Sequence, residues 1–169
     1  MMNSINWPEK YLPGTTDNFA SNEVIVKGLT VADVWPYLSH IQAWDKYYKN
    51  CSDAKYAVPG TTELSEGAKF SFNTFGFLVE ADVTEFEAPK DGIARIAWHG
   101  LSNAGQPDEL NVVHAWLLEN LPGDRVRILT QESQLGTPAA AMAGTNTMID
   151  GHQSWLYGII RAAKEKIAY

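Results

Sequence analysis

Cysteine is almost missing from this chain: Cys51 is the only one in 169 residues. No internal disulfide can form, so a disulfide-stapled scaffold is excluded. One cysteine beside four scattered histidines (His40, His99, His114, His152) gives no zinc-ligand spacing, and neither a metal nor another cofactor is expected. Positive charge is also scarce. Thirteen Lys and Arg face twenty Asp and Glu, for a net charge of −7, which makes a nucleic-acid backbone a poor partner. No apolar run approaches the ~18 residues of a membrane span, and the polar start, Met1 to Lys10, lacks the apolar stretch of a secretory signal. A cytoplasmic location is the expectation. There is no internal repeat, no GxSxG elbow, no phosphate loop and no GxGxxG. The string Ala141-Met142-Ala143-Gly144 is small and apolar, but it is no dinucleotide fingerprint.

What the chain has in excess is flat apolar surface. Hydrophobic residues make up 45% and charged ones 20%, an ordinary balance, but aromatics reach 11%, with six Trp, seven Tyr and six Phe. A chain of this length suits one domain and buries roughly two-thirds of its extended surface without a staple. We expect an irregular N-terminal arm over residues 1–18 and a single domain over 19–169.

The β-branched stretch Phe19 to Lys27, ended by Gly28, predicts a first strand. Thr30 and Asp33 form a capping-box variant, and Val31, Val34, Trp35 and Leu38 make one apolar stripe of a helix. Pro36 should keep that helix short or bend it. Ile41, Trp44 and Tyr48 continue into a second short helix ending near Asn50. From Cys51 the apolar period switches to two, with strands predicted over 52–58, 68–75, 77–87, 92–100, 110–119 and 124–134. Short gaps predict an antiparallel meander, and seven strands in one sheet curl. Thr137-Pro138 opens a long helical stretch, interrupted over Gly144 to Thr147. Beyond it Met148, His152, Trp155, Ile159 and Ala163 share a face. The concave side of a curled sheet needs a cover, and only this helix is long enough. The class is α+β, with a helix gripped by a sheet.

This order resembles the helix-grip fold of the SRPBCC superfamily, which includes the START domains, the birch-pollen-allergen-like proteins and the polyketide cyclase/dehydrase group. Val31 to Leu38 followed by Trp44 is similar to that group's first-helix signature. Ala97-Trp98-His99-Gly100, then His114-Ala115-Trp116, then Arg127 with Glu132 and Gly136, resemble its late strands and the entry to the last helix. The resemblance spans residues 19 to 167. It implies a curved seven-stranded antiparallel sheet around a C-terminal helix, with an apolar ligand held between them.

Strand alternation bears on which side chains face that cavity. Phe70, Phe72 and Thr74 oppose Lys69, Ser71 and Asn73. Phe77, Val79, Ala81 and Val83 oppose Glu80 and Asp82. Trp98 points inward with Ala94 and Ile96, leaving Arg95 and His99 toward solvent. Glu132 shares the inward face with Thr130. Both faces of 110–119 are apolar. The resemblance puts His114 and Trp116 inward, with Glu119 leaning out, and the apolar outer face then needs the arm or a second subunit as cover. The expected site has His114 and Glu132 as its acid/base pair. Phe72, Thr74, Val79, Trp98, Trp116, Thr130, Met148, His152 and Trp155 are its ligand-binding wall, aromatic area with a few orienting polar groups. Trp98, Trp116 and Trp155 should converge there, while Trp7, Trp35 and Trp44 are structural and Cys51 is inert.

Three functions compete. The first is binding of a hydrophobic, aromatic or polyketide-like small molecule. The second is a polyketide cyclase/dehydratase-like lyase or isomerase, with His114 as base and Glu132 tuning it or acting as acid. The third is a protein-interaction module or homodimer without turnover.

Overall fold

The computed structural model covers residues 1–169. After a 3-10 turn at Glu9–Tyr11, strand β1 runs Asn18–Lys27. Helix α1 (Val31–Ser39) follows, capped as its sequence dictates: Asp33 N–H donates to Thr30 Oγ1 at 3.3 Å, and Thr30 N–H donates to the Asp33 carboxylate at 2.8 Å. The helix is short, as Pro36 leads one to expect, and ends three residues beyond it. A 3-10 turn at Ile41–Ala43 leads into one turn of α2 (Trp44–Tyr47). This is shorter than the helix to Asn50 that the spacing predicts.

The remaining strands are β2 (Cys51–Tyr56), β3 (Lys69–Thr74), β4 (Phe77–Lys90), β5 (Ile93–Ser102), β6 (Leu110–Leu121) and β7 (Arg125–Leu135). All pairs are antiparallel, and the order across the sheet is β1-β7-β6-β5-β4-β3-β2. The two short helices carry the chain from one edge strand to the other, and everything after them is the expected meander. Two-residue turns at Phe75-Gly76 and Asp91-Gly92 have positive φ at both positions, the backbone that joins twisted strands. A register shift between Val83 and Glu85 interrupts the β4–β5 ladder and helps the sheet curl.

The terminal helical stretch is broken as expected, into α3 (Thr137–Met142) and α4 (Thr147–Glu165). Helix α4 lies across the concave face, packed on β1, α1 and α2; this is the helix-grip arrangement. Its two glycines explain the closeness of the fit. A Cβ on Gly158 would run into the Tyr47 carbonyl, and one on Gly151 into the Phe75 ring. At the other end of the grip, Asn22 Nδ2 on β1 donates to the Ile149 carbonyl at 3.0 Å and to Gln153 Oε1 at 2.9 Å.

The apolar outer face of β5, β6 and β7 is covered by the arm. Ile5 packs on Ala97, Ala115, Leu117 and Leu129, with Trp7 beside it. This corrects the assignment of Arg95 and His99 to solvent. Arg95 is 11% exposed and donates to the Ser4 carbonyl at 2.8 Å, while His99 is 27% exposed and bonds Asn111 at 2.9 Å. Glu119 does point away from the cavity, yet it is buried under the arm, where Asn3 and Arg127 bond it at 2.6 and 3.2 Å.

Candidate functional site

Residues 114, 132 and 152 come from three elements and meet between sheet and helix. His114 on β6 and Glu132 on β7 are direct cross-strand partners, so their side chains leave the same face side by side. His152 reaches them from the second turn of α4. His114 Nδ1 lies 2.9 Å from Glu132 Oε2, and His152 Nε2 lies 3.2 Å from the same oxygen. The second carboxylate oxygen accepts from Gln134 Nε2 at 2.6 Å. The two imidazoles stack, with ring centres 4.6 Å apart.

The electrostatics follow from burial. Burial alone would raise the Glu132 carboxyl, but the attraction and hydrogen bonds of His114 and His152 outweigh it and hold the group well below the usual carboxylate range. Burial depresses the His114 imidazole below its ordinary range, against the pull of Glu132. Both shifts favour an ionised Glu132 that accepts from the imidazoles, the opposite of what a general acid needs. His114 is also poorly placed as a base. Its Nδ1 faces Glu132 and its Nε2 faces Thr130 Oγ1 at 2.8 Å, so both ring nitrogens are taken by the protein. His152 Nδ1 is the one ring nitrogen of the pair without a protein partner.

Beside this centre is a cavity of about 30 Å³, lined among others by Phe72, Thr74, Val79, Trp98, His114, Glu132, Met148, His152 and Trp155. Two residues expected in the wall are not there. Trp116 and Thr130 sit behind His114, one stacked on its ring at 5.5 Å and the other bonded to it. The sequence reading omits Phe75, Phe77, Leu110, Val112, Gln134 and Met142, which do line it. Gln134 was within reach, because it shares strand parity with Thr130 and Glu132. Phe75 was not. It stands in a tight turn at φ 50°, a strained conformation for a bulky residue, with its ring near His152. Thr74, Phe75, Phe77 and Met142 are the partly exposed lining residues and mark the mouth.

The cavity is small because tryptophan fills it. Trp44 joins Trp98, Trp116 and Trp155, all fully buried, with Trp155 5.1 Å from both Trp44 and Trp116 and stacked on Tyr48 at 4.5 Å. Four tryptophans converge, against the three expected, and they pack mainly on one another. Small-molecule sites run to roughly 300–1,000 Å³, whereas a water needs about 10–15 Å³. The space as it stands suits one or two waters.

No protein-family model matches the chain, and no curated protein matches it. Among solved structures, the hypothetical protein jhp0584 from Helicobacter pylori is 52% identical, with 96% of this chain and 98% of that one covered and a TM-score of 0.93. Protein MLL2253 from Mesorhizobium loti is 11% identical over 90% of this chain and 100% of its own, with a TM-score of 0.64. Norcoclaurine synthase from Thalictrum flavum, solved with dopamine and hydroxybenzaldehyde, is 8% identical over 90% of this chain and 89% of its own, with a TM-score of 0.58. The last two share the fold.

Proposed function

For this chain, which belongs to the family of the Helicobacter pylori protein jhp0584, we propose binding of a small aromatic molecule between α4 and the sheet. The observation that carries the reading is the contrast inside the cavity. An apolar, aromatic wall surrounds a single polar centre, the pattern by which small-molecule sites combine contact area with orientation. Norcoclaurine synthase, solved with two aromatic small molecules in the same fold, supports it at the level of architecture.

The cavity volume limits the ligand. A polyketide-sized molecule does not fit 30 Å³, so entry requires the mouth side chains Phe75, Phe77 and Met142 to swing aside. A one-ring compound with a hydroxyl or carbonyl that reaches His152 asks least of the fold. The test is a titration of phenols, benzaldehydes and acetophenones followed by native mass spectrometry and calorimetry. Saturable 1:1 binding is expected, weakened at least tenfold by Val79→Phe, which narrows the wall. Absence of any binding tighter than about 1 mM sinks the reading.

One observation favours a second reading, an acid–base enzyme. A buried imidazole bonded through one nitrogen to a carboxylate, as His152 is to Glu132 at 3.2 Å, is the usual support for proton transfer. The free nitrogen belongs to His152, so His152 would touch substrate, with Glu132 orienting it. Deuterium exchange next to the carbonyl of acetophenone, catalysed by the wild type and lost in His152→Ala, is the expected result. Equal rates in the two proteins dispose of this reading.

A further inference from the structure

His114, Glu132 and His152 form a ligand set that linear spacing conceals. The three residues lie 18 and 20 positions apart, yet their donor atoms all fall within 4.8 Å of one another. Bonds of about 2.0–2.2 Å to a tetrahedral divalent ion put neighbouring donors about 3.3–3.6 Å apart. The two edges that meet at Glu132 Oε2 measure 2.9 and 3.2 Å. Two sides of the triangle are therefore within about half an ångström of that spacing, and the third, between the imidazoles, is no longer than 4.8 Å.

The charge balance points the same way. Glu132 is buried, its only charge partners are these two imidazoles, and no Lys or Arg lines the cavity. A buried carboxylate demands a positive partner. An extra proton on an imidazole supplies one. A metal ion supplies a larger charge and engages both nitrogen lone pairs as well.

We propose that His114, Glu132 and His152 bind one divalent first-row transition-metal ion, with its remaining coordination positions open to the cavity. Two nitrogens and one carboxylate suit Zn²⁺ or Fe²⁺, and three protein ligands leave room for water or substrate. The surrounding contacts fit the assignment. With Nδ1 on the metal, His114 Nε2–H donates to Thr130 Oγ1 at 2.8 Å. Gln134 holds Oε1 at 2.6 Å and so turns Oε2 toward the imidazoles. Such outer contacts orient ligands at metal sites. The ion's role toward a ligand rests on the pocket reading above; its binding does not.

The test uses full-length, tag-free protein stripped with chelator and titrated with Zn²⁺ against a competing dye, then anaerobically with Fe²⁺. One equivalent should bind with Kd below about 1 µM. Glu132→Gln and His152→Ala should each weaken binding at least 100-fold, while His99→Ala leaves it unchanged. Co²⁺ should give visible absorption bands in wild type that both variants lack. If the variants fail to fold, the imidazole ¹⁵N shifts of wild type decide: His114 and His152 should move on adding Zn²⁺, and His40 and His99 should not. A wild-type protein that takes up no ion, a folded Glu132→Gln variant that binds like wild type, or unmoved His114 and His152 resonances overturns the proposal. Aromatic binding is measured in chelator, so the two readings fail separately.

Discussion

Gly158 and Glu132 are two residues whose neighbours reverse what their type alone suggests. In an isolated helix, Gly→Ala gains about 1 kcal/mol. At position 158 the added methyl meets the Tyr47 backbone, which cannot yield as a side-chain tip would. Gly158→Ala is expected to lower stability by about 1–3 kcal/mol, as overpacking does, and urea denaturation measures it. A gain in stability would mean that α4 does not seat against α2 as described. Glu132 is the electrostatic counterpart. Burial should neutralise a carboxyl, yet two imidazoles and an amide keep this one ionised.

At the scale of elements, the N-terminal arm acts as a further layer on the sheet. Ile5 and Tyr11 are buried, Trp7 Nε1 donates to Gln131 at 3.3 Å, and Tyr11 donates to Asn111 at 2.7 Å. The arm shields Leu117 and Leu129 and closes over the Glu119–Arg127 pair. It occupies the outer face that a second subunit would otherwise need. Deleting residues 1–11 is expected to cost about 2–4 kcal/mol, the burial of two large side chains less the entropy of ordering them. The exposed face should then drive self-association, seen as a concentration-dependent shift in light scattering. A truncated chain as stable and monodisperse as the full one would show the arm to be ornamental.

For the molecule as a whole, the dense aromatic core sets its response to alkali. Burial pushes the Cys51 thiol up to about 12 and raises the Tyr47 phenol above its usual range. Both groups ionise more easily unfolded, near pH ~8.5 and ~10. Their contribution is therefore complete below about pH 8.5 and is lost as pH rises toward the folded values. The expected slope is about 1.4 kcal/mol per pH unit from Cys51 above ~8.5, rising about threefold above ~10, where the likewise buried phenols of Tyr47 and Tyr48 join. Cys51→Ala should flatten the first part alone, as followed by denaturant midpoints between pH 7 and 11. A flat profile through pH 10 would place the thiol in contact with water.

Local pattern by itself determined the elements, because the residues that cap, turn and alternate act on near neighbours. Thr30 with Asp33, Asp91-Gly92 and the period of two from residue 51 onward carry their meaning within a few positions. Parity likewise puts Glu132 and Thr130 on one face whatever else the chain does. Three matters were left to the tertiary structure. The ambiguous strand β6 has two apolar faces, and only docking of the arm shows why both are needed. The convergence of Trp44 with three other tryptophans depends on how far α2 presses toward α4, which Gly158 sets. The meeting of His114, Glu132 and His152 depends on the β6–β7 register and on the turn of α4 that faces it. Periodicity says which side of a strand is inward. How much room remains there is decided by long-range packing, where a fraction of an ångström separates a ligand cavity from a filled core.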